Sequence, residues 1–320
     1  MTSRSASAAP RRLPLAVALG GAVLVGVLTS VQAQINGALG AAIGDGFVAA
    51  VISFGSGLAI LIVLSATVPS GRAGFGRLVR GVRERRIPFW MLIGGLAGAF
   101  TVASQGLTVA VIGVATFTVG VVAGQTVNGV VLDRAGYGPA GVVPVTVGRL
   151  LGGGLAVVAV VISLLGEGPS GVPAWMLFLP FLAGAGIAWQ QATNGRLRHV
   201  VESPLTATLV NFIGGTLALL VAAGIRIAFV GLPASLPADP WVYFGGAIGV
   251  VYIFLSAALV RHTGVLQLGL GSVVGLLLTS VVIDAIWPAH SGPPLALALT
   301  AVALALVGVV IAVVPRWRRR

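Results

Sequence analysis

The chain alternates between long apolar runs and short polar connections. Runs of about 20 apolar residues recur along it, which is the length that a helix needs to cross the hydrocarbon core of a bilayer. The runs are apolar on all sides, as in AVVAVVIS, whereas a membrane β-barrel shows shorter segments that alternate polar and apolar positions. We therefore expect an all-α polytopic membrane protein. The pattern predicts ten transmembrane helices, at residues 13–41, 47–68, 88–109, 112–132, 147–166, 173–194, 204–225, 240–260, 264–285 and 294–314.

Composition agrees with a membrane protein and disfavours several kinds of chemistry. Hydrophobic residues make up 57% of the 320 residues and charged residues 8%, and the mean hydropathy is +1.07. A soluble domain carries roughly 25% charged residues. The chain has no cysteine, no H-E-x-x-H motif, no Walker A motif and no histidine inside a predicted span. We therefore expect no enzymatic activity, no cofactor and no bound metal.

The basic residues predict the orientation of the chain in the membrane. All 19 are arginines, and the net charge is +12. A basic excess can indicate nucleic-acid binding, but ten crossings with the N-terminus inside place eighteen of the nineteen on the cytoplasmic face, with Arg226 outside. This bias sets membrane topology. We expect a multi-pass protein of a bacterial-type inner (plasma) membrane, with both termini cytoplasmic and no nucleic-acid partner.

The segment 69–87 and the two ends of the chain lie outside the predicted spans. The segment holds six arginines, which fits either a basic amphipathic helix on the membrane surface or a solvated loop. We favour the surface helix. The apolar region after residue 12 is too long for a cleaved signal peptide, so it is interpreted as an uncleaved first helix. With both termini inside, residues 1–12 and 315–320 are predicted cytoplasmic tails.

An internal repeat relates the two parts of the chain. A shift of 158 residues places Gln32 on Gln190, and a shift of 151 residues places Trp90 on Trp241. The register holds over four of five helices, and the fifth pair matches poorly. We predict two five-helix repeats, 13–168 and 169–314, inverted because five is odd; such inverted repeats are typical of secondary transporters. Further matched pairs are Asn36/Asn194, Phe54/Phe212, Gly57/Gly215, Gly94/Gly245, Gly98/Gly249, Gly120/Gly271, Gly124/Gly275 and Asp133/Asp284.

Short motifs at matched positions resemble a known family. Q-x-x-x-N-G ends the first helix of each half, at Gln32–Gly37 and Gln190–Gly195, and S-F-x-x-G or N-F-x-x-G follows at Ser53–Gly57 and Asn211–Gly215. With the five-plus-five helices, this resembles the YdcZ family of the drug/metabolite transporter superfamily, over nearly the whole chain. The resemblance implies an inner-membrane carrier for a small organic solute. Related small multidrug pumps use a glutamate of the first helix for cation and proton, and no acidic residue lies there in this chain.

Polar residues inside the spans are the candidate substrate contacts. Gln32 and Asn36 are four residues apart and share one face of a helix, and Gln190 and Asn194 repeat the arrangement. They line a polar cavity between the halves or form hydrogen bonds between helices, which average about 0.6 kcal/mol. A further alternative places Asn36 and Asn194 at the headgroup level, near the helix ends. An unpartnered amide in lipid costs several kcal/mol, so Asn211 must face protein or water. The candidate site comprises Gln32, Asn36, Ser53, Gln105, Gln125, Gln190, Asn194, Asn211 and Gln267.

Other features refine the expected function. The G-x-x-x-G pairs indicate close helix packing, which we expect within one chain that is a monomer or a homodimer. Asp133 and Asp284 are interpreted as solvated helix ends. No carboxylate or histidine lies in the interior of a predicted span, which argues against a built-in proton relay. We therefore expect a solute that is neutral or zwitterionic, or one that moves by facilitated diffusion or exchange. A channel or a scaffold without transport activity is the alternative to a secondary transporter.

Overall fold

A computed structural model describes residues 14–137, 141–142, 146–164, 172–289 and 294–313. All regular structure within these ranges is helical. Two 3-10 turns, Phe89–Met91 and Pro240–Tyr243, precede the fourth and ninth helices at matched positions of the repeat. The α-helices are α1 (Leu15–Ile43), α2 (Gly46–Thr67), α3 (Pro69–Arg83), α4 (Gly95–Ile112), α5 (Val114–Arg134), α6 (Val147–Leu164), α7 (Ala174–Val201), α8 (Pro204–Val230), α9 (Gly245–Ile286) and α10 (Leu295–Val313).

The lengths of these helices are those of a helical membrane protein. Among the described residues, five helical stretches are long and apolar enough to cross a bilayer, and shorter apolar stretches lie in α6, α9 and α10. The five long stretches are Ala16–Ile43, Gly46–Thr67, Phe89–Ile112, Val114–Arg134 and Pro204–Val230.

Helix α9 is one helical element where the sequence predicts two helices, at 240–260 and 264–285. Its contacts with α1 show that the chain nevertheless folds back within it. Gln32 Nε2 donates to the carbonyl of Gly245 (2.8 Å), and Ser30 Oγ donates to the carbonyl of Leu276 (2.6 Å). A straight helix would place these two carbonyls about 46 Å apart. The first part of α9 runs antiparallel to α1, since Gly245 faces Asn36 and Gly249 faces Gln32. The last part runs parallel to α1, since Gly271 faces Ala22 and Leu276 accepts from Ser30.

The arginine-rich segment forms helix α3, which decides between the helix and the loop that the sequence left open. Its buried side includes Gly71, Gly74 and Leu78. A Cβ atom at Gly74 would lie 2.5 Å from Cβ of Ser203, so α3 packs closely on the junction between α7 and α8. This junction is short, because α7 continues to Val201 where the sequence predicts a loop at 195–203.

The matched G-x-x-x-G pairs all pack within the chain, as predicted. Those of α9 contact α1: Gly271 lies against Ala22, and Gly275 lies against the carbonyl of Val23. Those at the start of α4 and in α5 contact α7 in the same way, with Gly124 lying against the carbonyl of Phe181. The absence of side chains at these positions lets the helix backbones approach closely.

Two further pairs of helices complete the bundle. Helices α2 and α8 pack through their aromatic rings, with the centroids of Phe54 and Phe212 4.7 Å apart. They run antiparallel, because Gly57 lies against Phe212 and Gly215 lies against Phe54. Helices α6 and α10 also pack antiparallel, because Gly148 lies beside the carbonyl of Ile311 and Gly308 lies beside that of Gly152. The poorly matched fifth helices of the two halves are therefore partners in the fold.

Asp284 corrects the interpretation of a solvated helix end. Its carboxylate, half-buried at the end of α9, accepts hydrogen bonds from the backbone N–H groups of Val114 and Ala115, both at 2.8 Å. The first N–H groups of a helix have no partner within the helix and carry a partial positive charge. Asp284 therefore caps α5 from a position 170 residues away in sequence.

We predict that Gly275→Ala destabilises the protein and that Gly55→Ala does not. A methyl group at Gly275 would collide with the carbonyl of Val23, and overpacking of this kind costs about 1–3 kcal/mol. A methyl group at Gly55 in α2 would have no neighbouring atom within 4 Å, so alanine there gains helix propensity without a clash. Thermal unfolding in detergent measures both, and equal melting temperatures for the two variants would contradict the close packing of α1 and α9.

Candidate functional site

The first amide group consists of Gln32, Asn36 and Gln105, all buried. Gln32 donates to the carbonyl of Gly245 (2.8 Å), and Asn36 Nδ2 donates to Oε1 of Gln105 (2.7 Å). Gln32 and Asn36 lie one helical turn apart on α1, and Gln105 reaches them from α4. The group therefore joins two helices of the first half to the start of α9.

The second amide group consists of Gln190, Asn194 and Asn211. Oδ1 of Asn211 accepts from Nε2 of Gln190 (2.8 Å) and from Nδ2 of Asn194 (3.1 Å). Gln190 and Asn194 lie one turn apart on α7, and Asn211 is buried in α8. The amide of Asn211 therefore bridges the two amides of α7.

Glycines and two stacked rings separate the amide groups. Gly249 faces Gln32 and Gly98 faces Gln190, and in each case a Cβ atom would lie 2.5 Å from the amide nitrogen. The same Cβ atom at Gly98 would lie 3.1 Å from the ring of Phe54, and the one at Gly249 would lie 3.9 Å from the ring of Phe212. The stacked pair Phe54–Phe212 thus lies between the two groups.

Two buried oxygens of this region have no hydrogen-bond partner among the described residues. They are Oδ1 of Asn36 and Oγ of Ser53, in residues that are 1% and 2% exposed. Both face Gly245, where a Cβ atom would lie 2.9 Å from Oγ of Ser53. Ser53 matches Asn211 in the repeat, and its side chain is too short to bridge the amides of α1 as Asn211 bridges those of α7.

The structure brings seven of the nine predicted site residues together, in the two amide groups and Ser53. Gln125 lies apart, because its Nε2 donates to Oε1 of Gln191 at 3.1 Å in an exposed pair. The side chain of Gln267 lies outside the part of the chain that the structure describes. A groove of about 630 Å³ between α5 and α6 is apolar apart from Arg134, so it is not the predicted polar cavity.

Sequence reasoning missed an aromatic cluster around Arg196. We define it as Trp90, Tyr137, Trp189 and Arg196. The Arg196 guanidinium lies over the rings of Trp90 (5.6 Å) and Tyr137 (5.3 Å). Its Nε donates to the carbonyl of Tyr137 (2.6 Å), and Trp189 Nε1 donates to the Tyr137 hydroxyl (3.1 Å). The cluster ties the segment before α4, the segment after α5 and helix α7 together.

The aromatic cluster has no equivalent in the other half. Trp241 matches Trp90, but Ala38 matches Arg196 and Val31 matches Trp189. The Trp90/Trp241 match was the one signal in the sequence that pointed to this region. Hydrogen bonds and cation–π contacts therefore hold the end of α7 against Trp90 and Tyr137. The corresponding positions of α1 carry aliphatic side chains.

Comparison with known proteins identifies the family. A family model described as "Putative inner membrane exporter, YdcZ" matches residues 17–162 and 175–311. The chain belongs to the YdcZ family. This membership confirms the resemblance in the sequence motifs, and the description of the family supports a transporter of the inner membrane.

A solved structure supports the fold of this YdcZ-family protein. One crystal structure shares 21% sequence identity with the chain, covers 92% of it and 95% of its own chain, and has a TM-score of 0.51. At this identity the likeness concerns the fold alone. No curated protein matches the chain.

We predict that Arg196→Gln destabilises the protein and that Arg198→Gln has little effect. Glutamine cannot stack as a cation on Trp90 and Tyr137, and hydrogen bonds of charged groups contribute about 1.5–3 kcal/mol. Arg198 forms no hydrogen bond or ion pair with any described residue. Thermal unfolding of both variants in the same detergent measures the difference, and an unchanged melting temperature for Arg196→Gln would contradict the role of the cluster.

Proposed function

We propose that this YdcZ-family protein is a secondary transporter that moves a small organic solute by alternating access between two inverted five-helix repeats. The observation that carries the proposal is the reciprocal packing of the halves. Gln32 of α1 packs on Gly249 of α9, and Gln190 of α7 packs on Gly98 of α4. In each half, an amide side chain therefore contacts a glycine of the other half. The two glutamines and the two glycines are matched positions of the sequence repeat.

The antiparallel contact between α2 and α8 supports the inverted relation. Gly57 of α2 lies against Phe212 of α8, and Gly215 of α8 lies against Phe54 of α2. These are matched positions on matched helices, and inversion of a repeat requires that such helices run in opposite directions. Two similar halves of this kind can exchange inward-open and outward-open shapes around a site near the middle of the membrane.

The amide groups and Ser53 are the proposed substrate contacts. Buried polar atoms without a partner are rare because each costs about 1–3 kcal/mol. Oδ1 of Asn36 is an acceptor and the hydroxyl of Ser53 is a donor or an acceptor, so a solute that carries hydroxyl or amide groups satisfies both. The described hydrogen-bond partners of the amide groups are other amides and backbone carbonyls, without a charged side chain. This favours a neutral or zwitterionic solute.

Solute binding and transport are measured in two steps. A thermal-shift screen of the purified protein against metabolites and antiseptics finds solutes that stabilise the folded state. Counterflow of each hit in proteoliposomes then distinguishes a carrier, which exchanges labelled for unlabelled solute, from a channel. Binding without any flux would favour a scaffold.

We predict that Ser53→Ala weakens solute binding about two- to tenfold without lowering the stability of the protein. The hydroxyl has no partner among the described residues, so its removal costs no internal hydrogen bond. Ser65→Ala is the matched control, because Ser65 has a buried, unpartnered hydroxyl in the same helix, twelve residues further on. Titration of the solute by thermal shift measures both variants, and an equal effect of the two substitutions would remove Ser53 from the site.

We predict that transport is independent of an imposed pH gradient. The amide groups contain no ionisable side chain, and ionisable residues in membrane spans usually mark proton relays. Uptake into proteoliposomes with and without a gradient measures this, with the solute found in the screen. A strong gradient dependence would refute uncoupled transport, and its loss only in Asp133→Asn or Asp284→Asn would identify the coupling carboxylate.

A further inference from the structure

The exposed side of α3 carries an apolar stripe. Phe75, Val79 and Val82 follow one another at spacings of four and three residues, so they share one face of the helix. Their exposed fractions are 47%, 44% and 43%. Helix α3 carries several arginines and is not one of the helices that could cross a bilayer. Lipid around a membrane span therefore does not explain why these apolar side chains are exposed.

A row of arginines borders the stripe. Arg72, Arg80 and Arg83 are exposed on the neighbouring face of α3. None of the three forms an ion pair with a described residue. The nearby carboxylates contact other arginines: Oε2 of Glu202 lies 3.9 Å from Nε of Arg77, and Oε2 of Glu84 lies 2.9 Å from Nε of Arg86. Glu202 and Glu84 therefore pair with Arg77 and Arg86 rather than with the row. The row is a positively charged surface without an acidic partner among the described residues.

The opposite side of α3 fixes the direction in which this surface points. Nε of Arg77 donates to the carbonyl of Val201 at 2.7 Å, at the C-terminal end of α7. Gly71 and Gly74 lie directly against α2 and the start of α8. The arginine row therefore faces away from the bundle, and the half-exposed stripe lies between the row and the buried side of α3.

The start of α3 places it at the membrane boundary. Helix α2 ends at Thr67, and α3 begins at Pro69 after a single extended residue, Val68. Since α2 is long and apolar enough to cross the bilayer, its end lies where the hydrocarbon core meets the headgroups. Helix α3 is about 22 Å long and leaves that point along the surface of the bundle.

We propose that α3 lies in the headgroup layer and binds anionic phospholipid headgroups. The stripe of Phe75, Val79 and Val82 enters the upper acyl layer, and Arg72, Arg80 and Arg83 contact phosphate groups. An apolar face beside a basic face is the pattern of helices that lie in the plane of a membrane. Basic residues next to a span attract anionic lipids. The position of α3 directly after a membrane-spanning helix favours lipid over an acidic soluble protein as the partner.

The position of α3 is tested with the full-length protein, whose lack of cysteine allows single-site labelling. An environment-sensitive fluorophore is attached in Phe75→Cys or in Gly76→Cys, the adjacent exposed position on another face, where no atom lies within 4 Å of a Cβ. Each is reconstituted in vesicles of phosphatidylcholine and phosphatidylglycerol that contain a nitroxide-labelled lipid. Strong quenching at position 75 and weak quenching at 76 is expected. Absent or equal quenching at both positions would overturn the proposal.

The lipid preference is tested with two double variants that remove the same charge. Arg72→Gln/Arg80→Gln changes α3, and Arg134→Gln/Arg198→Gln changes arginines near the ends of α5 and α7. The relative binding of phosphatidylglycerol over phosphatidylcholine is measured by native mass spectrometry of the purified protein. The α3 variant is expected to lose about 30-fold of this preference, while the control keeps it. Equal losses, or none in either, would overturn the proposal.

Matched stability and salt dependence complete the test. Both double variants are expected to unfold at the wild-type temperature, because the replaced arginines form no ion pair with a described residue. The phosphatidylglycerol preference of the wild type is expected to fall as salt rises, since exposed charges are screened. A preference that is unchanged at high salt would show that the arginines do not bind the headgroups.

Discussion

The structure depends on one constraint: an uncharged amide buried in a membrane protein needs a partner within the protein. Gln32 and Gln190 meet it in the space that opposing glycines leave: Gln32 donates to the backbone carbonyl of Gly245, and Gln190 donates to the side-chain oxygen of Asn211. At Gly249 and Gly98 any side chain would occupy the space of the amide nitrogen. The glycines thus determine both how closely the helices of one half approach those of the other and which polar groups can be buried between them.

The two halves use this arrangement differently, and the difference lies at one matched position. Oδ1 of Asn211 accepts from the amides of both Gln190 and Asn194. Ser53 is shorter, so Asn36 turns to Gln105 of α4 and keeps one oxygen unpaired. The first amide group therefore has two buried oxygens beside it without a partner among the described residues, Oδ1 of Asn36 and Oγ of Ser53, whereas no atom of the second group is both fully buried and unpartnered.

The sequence predicted the features that depend on local spacing and failed where distant segments meet. The four-residue spacing of Gln32 and Asn36 places them on one helical face, and the residue offsets align the glycines that oppose them. The partner of Asn36 could not be predicted, because Gln105 belongs to another helix with no pattern that links the two. For the same reason Arg196 was expected only to set topology, although Trp90 and a tyrosine from after α5 surround its guanidinium.

The cap that Asp284 provides limits how the halves can move. Its carboxylate belongs to the second half, and the N–H groups of Val114 and Ala115 that it binds belong to the first. If α5 moved away from the end of α9, the carboxylate and both N–H groups would lose their hydrogen-bond partners together in a half-buried environment. Under the proposed alternating access, a rocking motion that keeps the start of α5 at the end of α9 would preserve both hydrogen bonds, whereas a separation of the two helix ends would break them.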